Sequence, residues 1–365
     1  MTKYALSRRF MLAAAAGSLA ATRLSAPALA QGLRRVRFQL AWLPTGGNLF
    51  TIVAREKGFW SARGLDVPIQ RGFGSGAAIQ AVANNQNDIT LAATGTAILS
   101  VIKGLNLHMP ATCGYDSTMG IAVPADSGIN QPRDLEGKTL GTVANSGEAP
   151  YVPAFFALTR IDASRVTRVS LDANVLEQSL IARRVNAIST FAISSVPAFL
   201  ANNFPARMML FADLGLPFYQ LSVVTRNDFM ASNRALVQDF VQGLLEGVRY
   251  SLLNPAESVD LFLRHVPEVA ATDSGRRTAQ LGNSIFQVTM LAEEAMANKI
   301  GYSDLGKVQT MARNIEQYVA EAGERAPPIE RWYSNDMVGN FTLTQAEWAS
   351  VRSNNAEVGR MMGRA

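Results

Sequence analysis

The feature that most constrains the fold is an alternation of strand and helix patterns that runs along the chain in two series. The first series predicts strands at 36–42, 66–69 and 88–92, with helices at 49–57, 77–84 and 97–103. The second predicts strands at 138–143, 166–171 and 185–190, with helices at 151–159 and 175–183. Strands that alternate with short helices indicate parallel βαβ units. The 365 residues are therefore predicted to form an α/β protein with two lobes, each a mostly parallel sheet flanked by helices.

The last third of the chain has a helical pattern instead. Apolar residues from Leu236 to Leu252 recur at steps of three and four, which is typical of an amphipathic helix, and Pro255 is expected to mark its end. More helix is predicted to about residue 322, followed by a polar tail. No further strand–helix series is predicted in this part.

The first 30 residues have the pattern of an export signal. Arg8 and Arg9 precede an apolar run, and Ala28-Leu29-Ala30 is a small-x-small cleavage pattern. The paired arginines indicate the twin-arginine route, although Met11 stands where phenylalanine is usual, so a Sec signal or an uncleaved anchor are the alternatives. No later stretch has the ~18 consecutive apolar residues of a membrane span. We therefore expect a mature protein that is soluble and periplasmic.

The charge balance depends on this signal. The chain has 34 basic and 29 acidic residues, and four of the basic ones lie within residues 1–30, which leaves 30 basic residues after cleavage. The remaining basic side chains are scattered rather than clustered. A nearly neutral mature chain gives no reason to expect a nucleic acid or an acidic membrane surface as a partner.

Cys113 is the only cysteine, so the chain cannot form an internal disulfide. No lipobox cysteine follows the signal, so the protein is expected to be released without a lipid anchor. We interpret Cys113 as a small buried residue near a strand end rather than as a reactive thiol.

Catalytic and cofactor motifs are not recognisable. His108 and His265 lie in unrelated contexts without metal-ligand spacing, and the S-x-x-K match at 100–103 lacks its companion motifs. Residues 72–77 match G-x-G-x-x-A, but they follow the second strand, and the next strand ends without the acidic residue that would hold a ribose. We therefore predict no catalytic residue, no metal and no cofactor.

Polar turns follow four of the predicted strands. Because open α/β sheets bind ligands at the carboxyl ends of their strands, these turns are predicted to line one cleft shared by the two lobes. The alternative is that they are ordinary helix caps and tight turns. The candidate ligand-binding residues in these turns are Thr45, Asn48, Ser75, Gly76, Thr94, Thr96, Asn145 and Ser146.

Several segments together resemble a known family. Trp42 ends the first strand, residues 54–67 read AREKGFWSARGLDV, and residues 134–141 read DLEGKTLG; Gly74-Ser75-Gly76 and Asn87-Asp88-Ile89 lie between them. In this order, over residues 36–250, they resemble the solute-binding proteins of ABC importers that bind aliphatic sulfonates, taurine, nitrate or thiamine-pyrimidine precursors. The resemblance is specific for the family and not for a ligand.

The resemblance implies an architecture and partners. Residues 31–115 would form the first segment of lobe one, 116–219 lobe two, and 220–365 the rest of lobe one, with two chain crossings as a hinge. Closure on a solute would deliver it to the membrane permease and ATPase of an importer, and we expect a monomer. An enzyme related to these binders, a pyrimidine synthase of thiamine biosynthesis, carries a cysteine-rich motif and an active-site histidine that this chain does not match.

The ligand prediction depends on aromatic residues beside the turns. Trp42, Tyr115 and Phe191 are candidates to stack on a flat ring, and Glu148 could accept a hydrogen bond from a ring amine while repelling a sulfonate. No Lys or Arg lies in the turns. A pyrimidine-like or other aromatic solute is therefore favoured, with an alkanesulfonate, taurine or nitrate as the alternative.

Overall fold

The computed structural model describes residues 32–363, so the predicted export signal lies outside the described residues. Twelve strands occur within this range. Their bounds are β1 Arg34–Arg35, β2 Phe38–Gln39, β3 Leu65–Asp66, β4 Ile69–Gln70, β5 Ile89–Ala92, β6 Leu107–Thr112, β7 Met119–Pro124, β8 Thr139–Thr142, β9 Thr167–Ser170, β10 Ala187–Phe191, β11 Ala206–Leu210 and β12 Ser222–Arg226.

Fifteen α-helices accompany these strands in the same range. Their bounds are α1 Phe50–Glu56, α2 Ser75–Ala83, α3 Thr94–Ile102, α4 Val152–Thr159, α5 Leu176–Ile181, α6 Ala192–Ala201, α7 Asn227–Ser232, α8 Arg234–Leu253, α9 Pro255–His265, α10 Pro267–Ala270, α11 Gly275–Thr289, α12 Glu293–Ala297, α13 Leu305–Tyr318, α14 Gln345–Asn354 and α15 Ala356–Met361.

Two five-stranded sheets organise the molecule. The first has the order β4-β2-β5-β12-β6, and we call this sheet with its helices lobe one. The second has the order β9-β8-β10-β7-β11, and we call it lobe two. In lobe one β2 lies between β4 and β5, followed by β12, which enters from lobe two, and by β6 at the edge. In lobe two β8 lies between β9 and β10, followed by β7, which enters from lobe one, and by β11 at the edge. The two lobes therefore repeat one topology.

Each sheet is mostly parallel, as predicted, and contains one strand that runs against the other four. In lobe one β2 pairs in parallel with β4 and β5, but β12 pairs antiparallel with β5 and β6. In lobe two β8 pairs in parallel with β9 and β10, whereas β7 pairs antiparallel with β10 and β11. The antiparallel strands β7 and β12 both begin directly after a crossing between the lobes, so they enter their sheets from the hinge side.

The hinge consists of two chain segments that run side by side. The backbone N–H of Ser117 donates to Phe218 O at 3.0 Å, and that of Gln220 donates to Gly114 O at 2.9 Å. Cys113 follows β6 directly and is fully buried, and burial raises the pKa of its thiol. Its interpretation as a buried residue at a strand end is confirmed.

The long helix α8 belongs to lobe one and packs against Trp60 of the AREKGFWSARGLDV segment. Its apolar face is buried, as the three- and four-residue periodicity predicts. The ring of Phe240 on this helix stacks on Trp60 with the centroids 5.2 Å apart, and the indole N–H of Trp60 donates to Phe240 O at 2.9 Å. Trp60 therefore joins the segment that follows α1 to the long helix α8.

Between residues 32 and 363, no helix is both long enough and apolar enough to cross a bilayer.

Candidate ligand-binding cleft

A cleft lies between the two lobes at the carboxyl ends of the central strands. It encloses about 710 Å³ of space outside protein atoms, part of which is open solvent. Seven of the twelve predicted binding residues line it: Trp42, Thr45, Asn48, Ser75, Ser146, Glu148 and Phe191. The turns that the sequence singles out therefore supply both walls of this cleft.

On the lobe one side, a tight turn holds Thr45 and Asn48. The side chain of Asn48 accepts a hydrogen bond from the Thr45 N–H and donates one to Leu43 O, both at 2.9 Å. A Cβ on Gly46 would lie 2.0 Å from Ala279 O, so only glycine lets the turn approach α11 this closely. The amide of Asn48 thus shapes the wall as well as presenting polar atoms to the cleft.

Trp42 and Phe191 face the cleft from opposite lobes. Trp42 follows the first strand region of lobe one, yet it packs against the apolar core of lobe two around Leu176 and Val143. Phe191 ends β10 in lobe two and is half-buried. The cleft therefore has one aromatic side chain on each wall.

Glu148 is the one charged residue among those that line the cleft, and its side chain is almost wholly buried, with 1% exposed. Its Oε1 lies within hydrogen-bond distance of two hydroxyls, that of Ser146 at 2.5 Å and that of Ser189 at 3.0 Å. No Lys or Arg in residues 32–363 forms an ion pair with it. Burial raises the pKa of Glu148 above its ordinary value, and hydrogen bonds with Ser146 and Ser189 offset the loss of hydration only in part.

The contacts of the Ser146 hydroxyl indicate that Glu148 carries a proton. Ser146 Oγ lies 2.7 Å from Val143 O as well as 2.5 Å from Glu148 Oε1, but a serine hydroxyl has one proton to donate. All contacts are satisfied when Glu148 carries a proton and donates it to Ser146, which then donates to Val143. The buried carboxyl thus fits its surroundings best when it is neutral.

A second carboxyl lies behind this wall. Ser195 donates to Glu177 at 2.7 Å and lies 2.6 Å from the Thr190 hydroxyl, and Thr190 lines the cleft. Burial also raises the pKa of Glu177. Lobe two therefore holds two carboxyls that resist ionisation beside the cleft.

Gln220 also lines the cleft, and the sequence analysis missed it. Its Oε1 accepts from the Thr118 N–H at 2.6 Å, which orients the side chain between the two crossings. Its amino group has no hydrogen-bond partner among residues 32–363, so it is a donor available to a ligand. The available signal was a polar residue among apolar ones directly beside the predicted second crossing.

Five predicted residues lie outside the cleft lining. Thr94 contacts the Ser222 hydroxyl at 2.8 Å within lobe one, and Tyr115 is buried in the hinge, where its hydroxyl accepts from the Gly301 N–H. Gly76, Thr96 and Asn145 lie where the lobes touch. The N–H of Gly76 donates to Asn145 O at 3.1 Å, and the Thr96 hydroxyl donates to Gly147 O at 2.7 Å.

These contacts show that the lobes are closed on each other. Gly74 has a φ of +122°, and a Cβ there would lie 2.1 Å from Asn145 O in the opposite lobe. Arg71 donates to Asn174 across the same gap at 3.3 Å. The glycines at the start of α2 therefore serve the approach of the two lobes, besides any contact with a ligand.

The two histidines lie away from the cleft lining. His108 is buried on β6, with Nε2 3.0 Å from the Ser334 hydroxyl, and burial lowers its pKa. His265 is half-exposed at the end of α9 beside Arg55. No cluster of three or more potential metal ligands occurs in the part of the chain that the structure describes. The structure thus places His108 in the core of lobe one and His265 near the surface.

Comparison with known proteins agrees with this arrangement. Residues 48–258, more than half of the chain, match the model of the family described as NMT1/THI5 like. The chain is 23% identical to the riboflavin-binding protein RibY of Chloroflexus aurantiacus, over 87% of this chain and 90% of that protein. It is 22% identical to the formylaminopyrimidine-binding protein of Halalkalibacterium halodurans, over 65% of this chain and 72% of that protein.

Among solved structures, the periplasmic nitrate-binding protein NrtA of Synechocystis is similar in fold. The TM-score is 0.59 at 9% sequence identity, and the match covers 90% of this chain and 91% of that one. The chain therefore belongs to the NMT1/THI5-like family and has the two-lobed fold of periplasmic binding proteins.

Proposed function

We propose that this protein is the substrate-binding component of an ABC-type importer and that it closes its lobes on a flat, nitrogen-containing aromatic solute. The observation that carries the proposal is that Trp42 of lobe one and Phe191 of lobe two both line a cleft whose one charged lining residue is Glu148. Lobe two would comprise residues 116–219, and the segments before and after it would form lobe one.

The two aromatic residues favour a ring over a small ion. Stacking on an aromatic side chain contributes about 1–3 kcal/mol per base in nucleic-acid complexes, and a planar heterocycle presents the same kind of face. Leu40, Leu91 and Ile193 extend the apolar part of the lining. A nitrate or a short alkanesulfonate would leave most of this surface without a partner.

Glu148 favours a solute with ring N–H groups. Both serine hydroxyls contact its Oε1, so Oε2 is the oxygen that would accept a hydrogen bond from the solute. It would accept in either protonation state, and more strongly as a carboxylate. An anion in the same place would force Glu148 to keep its proton and would find no cationic side chain in the lining. The names of the two curated relatives, a riboflavin binder and a formylaminopyrimidine binder, support the same class of solute.

A binding role also suits the residues better than an enzymatic one. The related pyrimidine synthase uses a cysteine-rich motif and a histidine, whereas Cys113 is buried in the hinge and neither histidine lines the cleft. We propose no cofactor and no catalytic residue. We further propose export by the twin-arginine route to the periplasm and a monomer without a lipid anchor, as the sequence of residues 1–30 and the single cysteine suggest.

The test is a binding screen of the exported protein, followed by substitution of Trp42. Thermal shift and titration calorimetry would be run with riboflavin, a formylaminopyrimidine, aromatic acids, taurine and nitrate. At 100 times Kd, a ligand adds about 2.7 kcal/mol of stability. We expect Trp42→Ala to weaken a flat-ring ligand about ten-fold or more, because the stacking partner on one wall is lost.

Tyr318→Ala is the control, because Tyr318 is an exposed aromatic residue at the end of α13, outside the lining. It should leave the affinity unchanged. Glu148→Gln should weaken a ring solute roughly several-fold, since the variant cannot give up a proton to become the stronger, charged acceptor when the solute binds, and should spare or tighten an anion. Tight binding of taurine or nitrate that is insensitive to Trp42→Ala would contradict the proposal and favour the anion alternative.

A further inference from the structure

Tyr151 occupies an unusual place in the contact between the lobes. It ends a short turn at Ala149–Tyr151 in lobe two, and its side chain is fully buried. Its ring packs against Phe218 of the second crossing, with the centroids 5.0 Å apart. On the lobe one side its hydroxyl meets Gly95, where a Cβ would lie 2.7 Å away. The hydroxyl is therefore enclosed between the hinge and the first turn of α3.

This hydroxyl has no hydrogen-bond partner among residues 32–363. The hydroxyls on either side of Gly95 are already committed, that of Thr94 to Ser222 and that of Thr96 to Gly147 O across the lobes. Buried polar groups are hydrogen-bonded in the great majority of cases, and one that is left without a partner loses the hydration it had in water. The Tyr151 hydroxyl is thus a cost to this arrangement of the lobes.

The cost applies only while the lobes are together. Gly95 belongs to lobe one and Tyr151 to lobe two, so separation of the lobes removes the wall that covers the hydroxyl and lets water reach it. The neighbouring Thr96–Gly147 hydrogen bond has the opposite effect, because closure makes it. Two hydroxyls in one contact region therefore act on the same equilibrium in opposite directions.

We propose that Tyr151 sets the affinity of this protein by opposing closure, so that the solute-free protein stays open and only a solute that stabilises the closed state overcomes the penalty. The inference rests on the proposed function in that it assumes a cycle of opening and closure, but it does not depend on which solute is bound. Tyr151 acts here as a positioning residue and does not line the cleft.

The test measures closure without any solute. Spin labels on cysteines at the exposed positions Gln80 in lobe one and Arg168 in lobe two would report the distance between the lobes, and Cys113 is too deeply buried to be labelled. Tyr151→Phe removes the hydroxyl and keeps the ring. We expect it to raise the ratio of closed to open protein about ten-fold, whereas Thr96→Val should lower it several-fold.

Tyr318→Phe is the control, because that side chain is exposed on α13 and should leave the ratio unchanged. Gly95→Ala provides a second variant: its methyl group would meet the Tyr151 hydroxyl, so it should open the protein, and adding Tyr151→Phe should partly restore closure. A role in folding alone would change the melting temperature of Tyr151→Phe without raising the closed fraction. An unchanged or lowered closed fraction in Tyr151→Phe would overturn the inference, while a failed solute screen would overturn only the identity of the ligand.

Discussion

The two lobes have the same strand order, yet they bring different chemistry to the cleft. Lobe one contributes neutral groups, among them Thr45, Asn48 and Ser75, and the amide of Asn48 is largely engaged in its own turn. Lobe two contributes Glu148, with Glu177 behind it, and neither forms an ion pair within residues 32–363. Under the proposed function, the repeated topology would set where a solute is held, and the unequal side chains would set which solute is accepted.

The lobes also differ in how they meet. Lobe one approaches with glycines, Gly74 and Gly76 at the start of α2 and Gly95 at the start of α3, and lobe two presents backbone carbonyls at Asn145 and Gly147. A side chain in place of Gly74 or Gly95 would hold the lobes apart. We therefore expect substitutions of these lobe one glycines to impair closure.

The largest effect on this contact is expected from Gly74→Ala. Its methyl group would lie 2.1 Å from Asn145 O, and the steric conflict exists only when the lobes are closed. We expect ligand affinity to fall about ten- to hundred-fold, as measured by calorimetry. Gly64→Ala is the control, because Gly64 also has a positive φ, +72°, but no atom lies within 4 Å of the added Cβ. Because Gly74, at φ +122° and ψ 149°, is the more strained position, the melting temperature of solute-free Gly74→Ala is measured as well, and an affinity loss no larger than that of Gly64→Ala would contradict the contact between the lobes.

A smaller effect concerns lobe two and pH. The folded-state pKa of Glu148 is raised by burial above 4.5, so the folded protein keeps this proton where the unfolded chain has lost it. Stability should therefore decrease as pH rises from about 4.5 through the folded-state pKa. Glu148→Gln has nothing to titrate, so its free energy of unfolding in urea should fall less over this interval.

Glu177→Gln should reduce the same slope, because burial shifts the pKa of Glu177 in the same direction. The double variant should then be flatter than either single one. A wild-type protein that becomes more stable over this pH interval, by an amount that Glu148→Gln abolishes, would show that Glu148 is ionised and stabilised in the fold.

Much of the fold follows from local patterns in the sequence. The helix predicted at 151–159 is observed at Val152–Thr159, and the strand predicted at 88–92 is observed at Ile89–Ala92. The direction of β7 and β12 could not be predicted in this way. Each follows a crossing of the hinge and therefore pairs antiparallel with its neighbours. Strand direction there depends on tertiary connections, which periodicity does not report.

The sequence pattern indicated some of the residues that line the cleft and missed others. The polar turns after strands hold Thr45, Ser75 and Ser146, which lie on the cleft lining because the carboxyl ends of neighbouring strands meet there; their role in binding stays a prediction. The same reasoning could not distinguish Thr96, whose hydroxyl is used between the lobes, since its partner Gly147 lies 51 residues away. Nor could it find Gln220, which is oriented by Thr118 from the other crossing.

Hydrogen exchange with and without the solute found in the screen tests the central claim most directly. The account predicts that the solute slows exchange at Ser75, Thr96 and Ser146 together and reduces the radius of gyration in small-angle scattering, because residues of both lobes become enclosed by one closure. Protection confined to one lobe, with no compaction, would contradict a cleft that is shared and closed by both.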